Sequence, residues 1–499
     1  MLSNRGDELE TNLRRMKDYF NNNSYFEPFS SNSDMKPKFF WLCAPTLFLC
    51  IFTIGHLSAQ SGARFPLRLS ENKRYLLDNN DKPFLVKEFS AWGLIQALPE
   101  KEEAAFLDSI QKKGFNTVLT SVLSNAPSQM GGNPPFWQGI SPLNIQWDFS
   151  TPNEKYFQHV DRFFKMAEGK GFFVMALPFY LGYRGDESQG WWDELKNVHN
   201  DTLKMRAYGS FIGKRYRDTK NIMWVAGGDN NAEGETFAYE NNMIEGVRSA
   251  DPIHLWSGHF DMNLGVIWST DHPVFGPSMN IDGLYVWTES VLFERGPQYK
   301  TELEQYKKGR MIMQLDLSYE HDNPHYADNE NPQWIRRKIY DGLLSGCAGT
   351  SFSSGVMGNY SLSFKNWKPL MSTTGMWQVS YCFRLFESVA WNKLIPDQGS
   401  DIILSGRGTL GSRDYICAAL ANDSSYYLMY IPRGQEIIIN ARKISGKPMR
   451  MHWYDPRTGA SIRIGVAELR ERFGITPPSE EDWVLVFDKN ELNLPPPGF

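Results

Sequence analysis

Cysteine is scarce in this chain and poorly placed for cross-linking. Of five cysteines, Cys43 and Cys50 fall in one apolar N-terminal stretch, leaving Cys347, Cys382 and Cys417 for the rest. Three thiols cannot form a paired framework and their spacing fits no zinc site. One disulfide at most, or three buried thiols, is the expectation. Strong charge of either sign is also missing. The net charge is −5 and no run of Lys and Arg stands out, which excludes a nucleic-acid footprint. No internal repeat or low-complexity tract interrupts the sequence. Nor does a Gly-rich turn follow the first predicted strand, where Phe89-Ser90-Ala91-Trp92 stands instead, so a dinucleotide fold is disfavoured.

Charge disappears altogether from Phe39 to Ala63. This apolar stretch follows Lys36 and Lys38 and ends in small and polar residues around Ala59. That is the pattern of a secretory signal peptide, placed at 35–60, and it predicts a secreted or periplasmic protein with no membrane attachment after cleavage. The first 34 residues are polar and mixed in charge, unlike a signal peptide's start. Met35-Lys36-Pro37-Lys38 is itself a natural beginning, so 1–34 is read as an extension arising from a misplaced start site. An uncleaved anchor is the rival reading, opposed by Pro45 and by the shortness of the stretch.

What is present is a rhythm. Leu76 to Phe84 reads as a hairpin around Asp78-Asn79-Asn80-Asp81. Predicted strands at Phe84–Phe89, Gly114–Leu119, Phe172–Leu177, Asn221–Ala226, Ile253–Ser257, Ile281–Trp287, Met311–Leu315 and Thr350–Ser353 then alternate with helical patterns such as Glu154–Lys170, Thr202–Arg217 and Pro332–Leu344. Eight such units argue for a parallel (β/α)₈ TIM barrel over 64–397. From Ile402 onward short alternating runs dominate, with Asp455-Pro456-Arg457-Thr458-Gly459 as turn chemistry. A small antiparallel β-sandwich is expected over 398–499, packed on the barrel.

Catalytic residues of such a barrel lie where strands run into loops on its C-terminal face. Two strand ends carry acids. Trp224-Val225-Ala226-Gly227-Gly228-Asp229 runs an apolar strand into paired glycines and then Asp229; a simple turn or cap role is the alternative. Met311-Ile312-Met313-Gln314-Leu315-Asp316 ends a strand in Asp316, with a structural salt bridge as its alternative. Two acids across one barrel mouth are what glycoside hydrolysis needs. The aromatic share is high at 14%, and rings at loop ends suit the flat faces of sugars. Trp92, His259, Trp287, Tyr319 and Glu320 are the candidate sugar contacts, a packing role being equally open for each. His321 and His325 lie four apart, but Pro324 breaks any shared helical face. No metal and no cofactor is expected.

The segment Trp224-x-x-Gly227-Gly228-Asp229, together with Lys82-Pro83-Phe84, Ala91-Trp92 and Lys113-Gly114-Phe115-Asn116, resembles the apiosidase-like glycoside hydrolases. The C-terminal part is similar to the small domain, labelled collagen-binding, that accompanies them; Tyr430-Ile431-Pro432, Trp453-Tyr454-Asp455-Pro456 and Asp482-Trp483-Val484-Leu485 carry that likeness. A structural cap is the plainer reading of this domain than adhesion. The resemblance implies Asp229 as acid/base at the fourth strand and a carboxylate nucleophile at the seventh. There this sequence departs from the family, whose usual Gly-Glu-Pro is replaced by Leu315-Asp316-Leu317. The side chain of Asp316 is shorter by about 1.5 Å. That retraction leaves retention, inversion or lost activity open. The expectation is a glycosidase acting on a plant-type polysaccharide or oligosaccharide side chain, with apiose as the sugar the resemblance suggests. A non-catalytic carbohydrate-binding protein is the alternative.

Overall fold

The computed structural model describes residues 62–123, 139–182, 190–191, 195, 200–231, 234–260, 268–286, 297–317, 319–320, 331–354, 367–398, 402–440, 448–467 and 472–499. The expected extension and signal segment lie outside these residues, as do Trp287, His321 and His325. Among the described residues, no helix is long and apolar enough to cross a membrane.

A three-stranded antiparallel meander comes first: β1 (Arg68–Leu69), β2 (Leu76–Leu77) and β3 (Pro83–Phe84). Its Phe65, Leu67, Leu76 and Phe84 join Phe173 and Met311, at the N-terminal ends of later strands, in one buried cluster. The meander therefore plugs the bottom of the barrel.

The barrel strands are β4 (Val86–Ser90), β5 (Thr117–Ser121), β6 (Phe173–Leu177), β7 (Ile222–Gly227), β8 (Trp256–His259), β9 (Asp282–Val286) and β10 (Ile312–Leu317). A two-residue β11 (Tyr319–Glu320) and then the eighth barrel strand, β12 (Gly349–Ser354), follow. Strands β12, β4, β5, β6, β7 and β8 pair in parallel in that order, and β9 pairs in parallel with β10. Two backbone hydrogen bonds stitch the pieces into a ring. Ile281 N donates to Trp256 O at 3.2 Å, and Ala348 N donates to Ile312 O at 2.9 Å.

Side-chain alternation explains the two barrel layers. On β7, Met223 and Val225 join the interior cluster, whereas Ile222, Trp224 and Ala226 join the outer one. Each large side chain so buried contributes about 1.5–3 kcal/mol. The outer layer meets helices α1 (Glu100–Gln111), α2 (Glu154–Gly169), α3 (Thr202–Tyr216), α4 (Gly234–Ala250), α5 (Gln298–Tyr306), α6 (Pro332–Leu344) and α7 (Thr374–Glu387). Helix α2 is representative. Asn153 caps it by accepting from Lys155 N, and Tyr156, Phe157, Val160, Phe163, Phe164 and Ala167 form its buried stripe.

The C-terminal part is a β-sandwich. Its strands are β13 (Leu394–Pro396), β14 (Ile403–Ser405), β15 (Cys417–Ala421), β16 (Tyr426–Ile431), β17 (Ile437–Asn440), β18 (Met449–Asp455), β19 (Ala460–Ala467), β20 (Arg472–Ile475) and β21 (Trp483–Lys489). They form a six-stranded sheet, β13-β15-β16-β21-β18-β19, and a three-stranded sheet, β14-β17-β20. The first strand shifts the expected boundary. Leu394–Pro396 pairs with β15, so the sandwich begins a few residues before the predicted 398. On β16, Tyr427, Met429 and Ile431 face the sandwich core while Tyr426, Leu428 and Tyr430 join the barrel's outer cluster. Arg336 of α6 grips Asp482 with Nη2 to Oδ1 at 2.6 Å and Nε to Oδ2 at 3.0 Å, and Tyr430 stacks on Tyr340 at 5.0 Å. Cys347, Cys382 and Cys417 are buried free thiols, the second of the two expected arrangements.

Candidate active site

The fourth strand ends in an unusual run of backbone. Gly227, Gly228 and Asp229 all have positive φ, at 89°, 102° and 58°. At Gly227 a Cβ would stand 2.4 Å from His259 O, and at Gly228 one would stand 2.7 Å from the Tyr180 ring. Only glycine fits, which is why the sequence pairs them there. Glu240 of α4 fastens the turn from outside, its Oε1 accepting from Gly227 N at 2.6 Å. Burial pushes the Glu240 carboxyl up to about 8.

The seventh strand ends in a second irregularity. Met311, Met313 and Leu315 point inward, so strict alternation would turn Asp316 outward and Leu317 inward. Instead Leu317 joins the outer cluster and Asp316 faces the interior. The pairing of β10 with β9 shifts register between Gln314 and Leu317, and Asp316 has φ 57°. A bulge thus re-aims the acid into the barrel mouth. Aspartate tolerates this left-handed backbone better than most residues, so a short acid is in keeping with the local geometry.

Between the two acids stands His259, the last residue of β8, whose register partner is Gly227. Its Nε2 lies 3.2 Å from Asp316 Oδ2, and its Nδ1 lies 3.3 Å from Asp229 Oδ1 and accepts from Asp229 N at 3.2 Å. One oxygen of each carboxylate and one ring nitrogen lie within 4.8 Å of one another. Side-chain exposure falls from 14% at Asp229 to 2% at Asp316 and 0% at His259. Asp229 is therefore the rim of the site and Asp316 its floor. Burial disfavours a charged imidazole, yet the Asp229 charge and the Asp316 hydrogen bond outweigh it and raise the His259 pKa. Tyr180, just beyond β6, donates its hydroxyl to Asp229 Oδ2 at 2.5 Å.

Of the residues expected at the site, Asp229 and Asp316 come together as predicted. His259 is placed as the spacer between them, with no exposed side-chain surface. Trp92 is 2% exposed and packs its ring against His259, with centroids 4.8 Å apart, and against Tyr180 at 5.2 Å. It thus packs on the two side chains that contact the acids. Glu320 turns away to the start of α7, where Oε1 accepts from Gly375 N at 2.8 Å and Oε2 accepts from the Thr373 hydroxyl. That is the work of a carboxylate at a helix N-terminus. Tyr319 contributes backbone to β11, which pairs with β12. Three residues were missed. Tyr180 carried the same signal as Trp92, an aromatic at a strand end. Glu88, fully buried on β4, was hidden in a strand read as apolar, and Glu240 looks like any helical acid.

Asp229, His259 and Asp316 are also the groups that could hold a metal ion. The two acids, however, address opposite nitrogens of one ring.

Comparison with known proteins identifies the family and the fold. Residues 70–393 match the model described as "Apiosidase-like, catalytic domain", and residues 395–488 match "Putative collagen-binding domain of a collagenase". A solved structure named simply as a glycoside hydrolase superposes with TM-score 0.69 at 20% identity, covering 86% of this chain and 97% of that one. A family 5 glycoside hydrolase from Bacteroides vulgatus superposes with TM-score 0.70 at 20% identity, covering 86% and 95%. These likenesses carry the fold. No curated protein matches the chain. The matched model spans the whole barrel, including both strand ends that bear the acids, and the chain belongs to the apiosidase-like family of glycoside hydrolases.

Proposed function

We propose that this enzyme cleaves a glycosidic bond with retention of configuration, Asp229 serving as acid/base and Asp316 as nucleophile. The observation that carries the reading is the closeness of the pair: one oxygen of each carboxylate lies within 4.8 Å of the other, beside a shared histidine. Inverting enzymes hold their carboxyls about 6.5–9.5 Å apart to admit a water, and retaining enzymes about 5–5.5 Å. The bulge at Asp316 compensates for its short side chain.

In the first step Asp229 gives its proton to the leaving oxygen as Asp316 bonds to the anomeric carbon and the glycosidic bond breaks. In the second, Asp229 takes a proton from water, whose oxygen displaces Asp316 from the same carbon. One acid is charged and the other neutral in each state, so His259 faces a single negative charge throughout. Tyr180 supports the ionised form of Asp229.

The substrate proposed is a plant-type polysaccharide or oligosaccharide side chain, with apiose as the released sugar on the strength of family membership. Export through the segment at 35–60 belongs to the same proposal. The test is NMR of the first-formed anomer on a panel of side-chain oligosaccharides and aryl glycosides. Retention is expected, and inversion would remove Asp316 as nucleophile. Asp229→Asn should keep sugar binding and lower turnover by about 10²–10⁴-fold. Binding without hydrolysis by the native enzyme would favour a carbohydrate-binding protein instead.

A further inference from the structure

A third carboxyl lies inside the barrel beside Asp316. Val86, Glu88 and Ser90 are the inward positions of β4, as Phe89 belongs to the outer cluster. Glu88 is fully buried in the barrel interior, a costly place for an acid without purpose. Its Oε1 accepts from Ser90 Oγ at 2.9 Å, while Oε2 has no hydrogen-bond partner among the described residues.

The contacts of Glu88 lead to the catalytic bulge. Ser90 Oγ lies 3.3 Å from Ser351 Oγ on β12, and Ser351 Oγ accepts from Leu317 N at 3.3 Å. Leu317 N belongs to the peptide that follows Asp316, where the pairing with β9 has just slipped. The Asp316 amide and its carboxylate both face Glu88. The short relay Glu88–Ser90–Ser351–Leu317 thus holds the peptide that the bulge releases from its ladder.

We infer that Glu88 is a positioning residue which, as a neutral acid, fixes the left-handed strand end that presents Asp316. The inference rests on the catalytic reading of Asp316 and extends it. Charge on Glu88 would set two carboxylates side by side in the barrel interior and push Asp316 off its line. Burial, reinforced by the Asp316 charge and opposed by hydrogen bonds from Ser351 and Ser90, pushes the Glu88 carboxyl up to about 8. The group is then neutral near pH 7 and ionises in alkali. Asp316 is the charged group facing it from β10, with His259 beyond; Ser90 and Ser351 are uncharged.

The experiment has two arms, both on the full chain. In the first, infrared difference spectra of wild type against Glu88→Gln are followed through pH. Glu240 and Glu302 are buried acids with a similar range, so the Glu88 component is whatever the substitution removes. A protonated-carboxyl band that disappears near pH 8 is expected, and Asp316→Asn should move its loss to lower pH. Absence of the band, or a band indifferent to Asp316→Asn, overturns the inference whether or not the protein hydrolyses anything. In the second arm, kcat is profiled on an aryl glycoside that wild type cleaves. Glu88→Gln should carry activity further into alkali. Glu88→Ala should cut kcat by about 100-fold with little change in KM, the cost of a displaced reacting group. An unchanged alkaline limb in Glu88→Gln overturns the inference. Wild type that cleaves no glycoside defeats the hydrolase reading and leaves the first arm to decide the coupling.

Discussion

The grip of Arg336 on Asp482 offers the sharpest test of how barrel and sandwich are joined. Arg336 is 4% exposed and Asp482 0%, and the guanidinium spends two of its donors on one carboxylate. A third donor reaches Gln378 Oε1 at 2.5 Å, and Tyr430 donates its hydroxyl to Asp482 Oδ2 at 2.8 Å. Arg336→Met keeps the apolar stem but leaves Asp482 a buried charge with the Tyr430 hydroxyl. Breaking a buried pair from one side costs about 3–5 kcal/mol. For a folding unit as large as Ser61–Phe499, an unfolding entropy of about 2.1 cal/mol/K per residue turns that into a Tm drop of roughly 3–5 °C. The double change Arg336→Met with Asp482→Leu removes both charges and should recover most of the loss, to within about 1 kcal/mol of wild type. Urea titration at matched m-value measures both, with thermal scans at two rates as a check on reversibility. The reasoning fails if the single substitution costs less than about 1 kcal/mol, or if the double is as unstable as the single.

Other consequences are checked more quickly. Gly228→Ala forces a Cβ to within 2.7 Å of the Tyr180 ring on a backbone at φ 102°, so a loss of about 1–3 kcal/mol and collapse of turnover are expected; a Tm equal to wild type refutes the turn. Asp316→Glu pushes the carboxylate forward by about 1.5 Å into a site already matched to aspartate, and kcat should fall about 100-fold. Undiminished kcat would show that the bulge does not set the reach. Because the folded state raises the His259 pKa, its bound proton contributes stability fully present below the unfolded value of about 6.5 and lost as pH rises through the folded value. The Tm gap between wild type and His259→Gln should therefore narrow from about pH 6.5 upward, and a gap constant in pH contradicts the bridging role.

Much of this was readable from the chain because the signals were periodic. Alternation of short apolar runs with helical stripes marked the eight strands, and β6 and α3 fall within a residue or two of their predicted spans. The Gly-Gly-Asp turn pointed to Asp229, although spacing alone left a plain turn or cap role equally open. Asp316 was found as an acid closing a strand, but its direction was not legible. Period two points it outward, and only the slip against β9 turns it in. The role of His259 was equally hidden, because a histidine at a strand end says nothing about two acids that approach it from strands on either side. Glu88 was overlooked for a different reason: a strand containing Lys87 and Glu88 reads as apolar by its neighbours, although counting by twos from Val86 places Glu88 inside. The Leu394–Pro396 strand was assigned to the barrel because the alternating runs stand out only from Ile402 onward.

Strand β16 has a practical consequence for anyone who would treat the two halves as interchangeable modules. Every one of its six residues is buried, three on each side, so no version of this strand is content with water on either flank. A barrel cut off after Lys393 would carry Tyr340 and Phe386 into solvent, and a sandwich expressed alone would do the same with Tyr430 and Leu428. Shortened genes should therefore give insoluble product where the intact one gives a single cooperative melt, and grafting this barrel onto a foreign partner would require rebuilding the shared flank first.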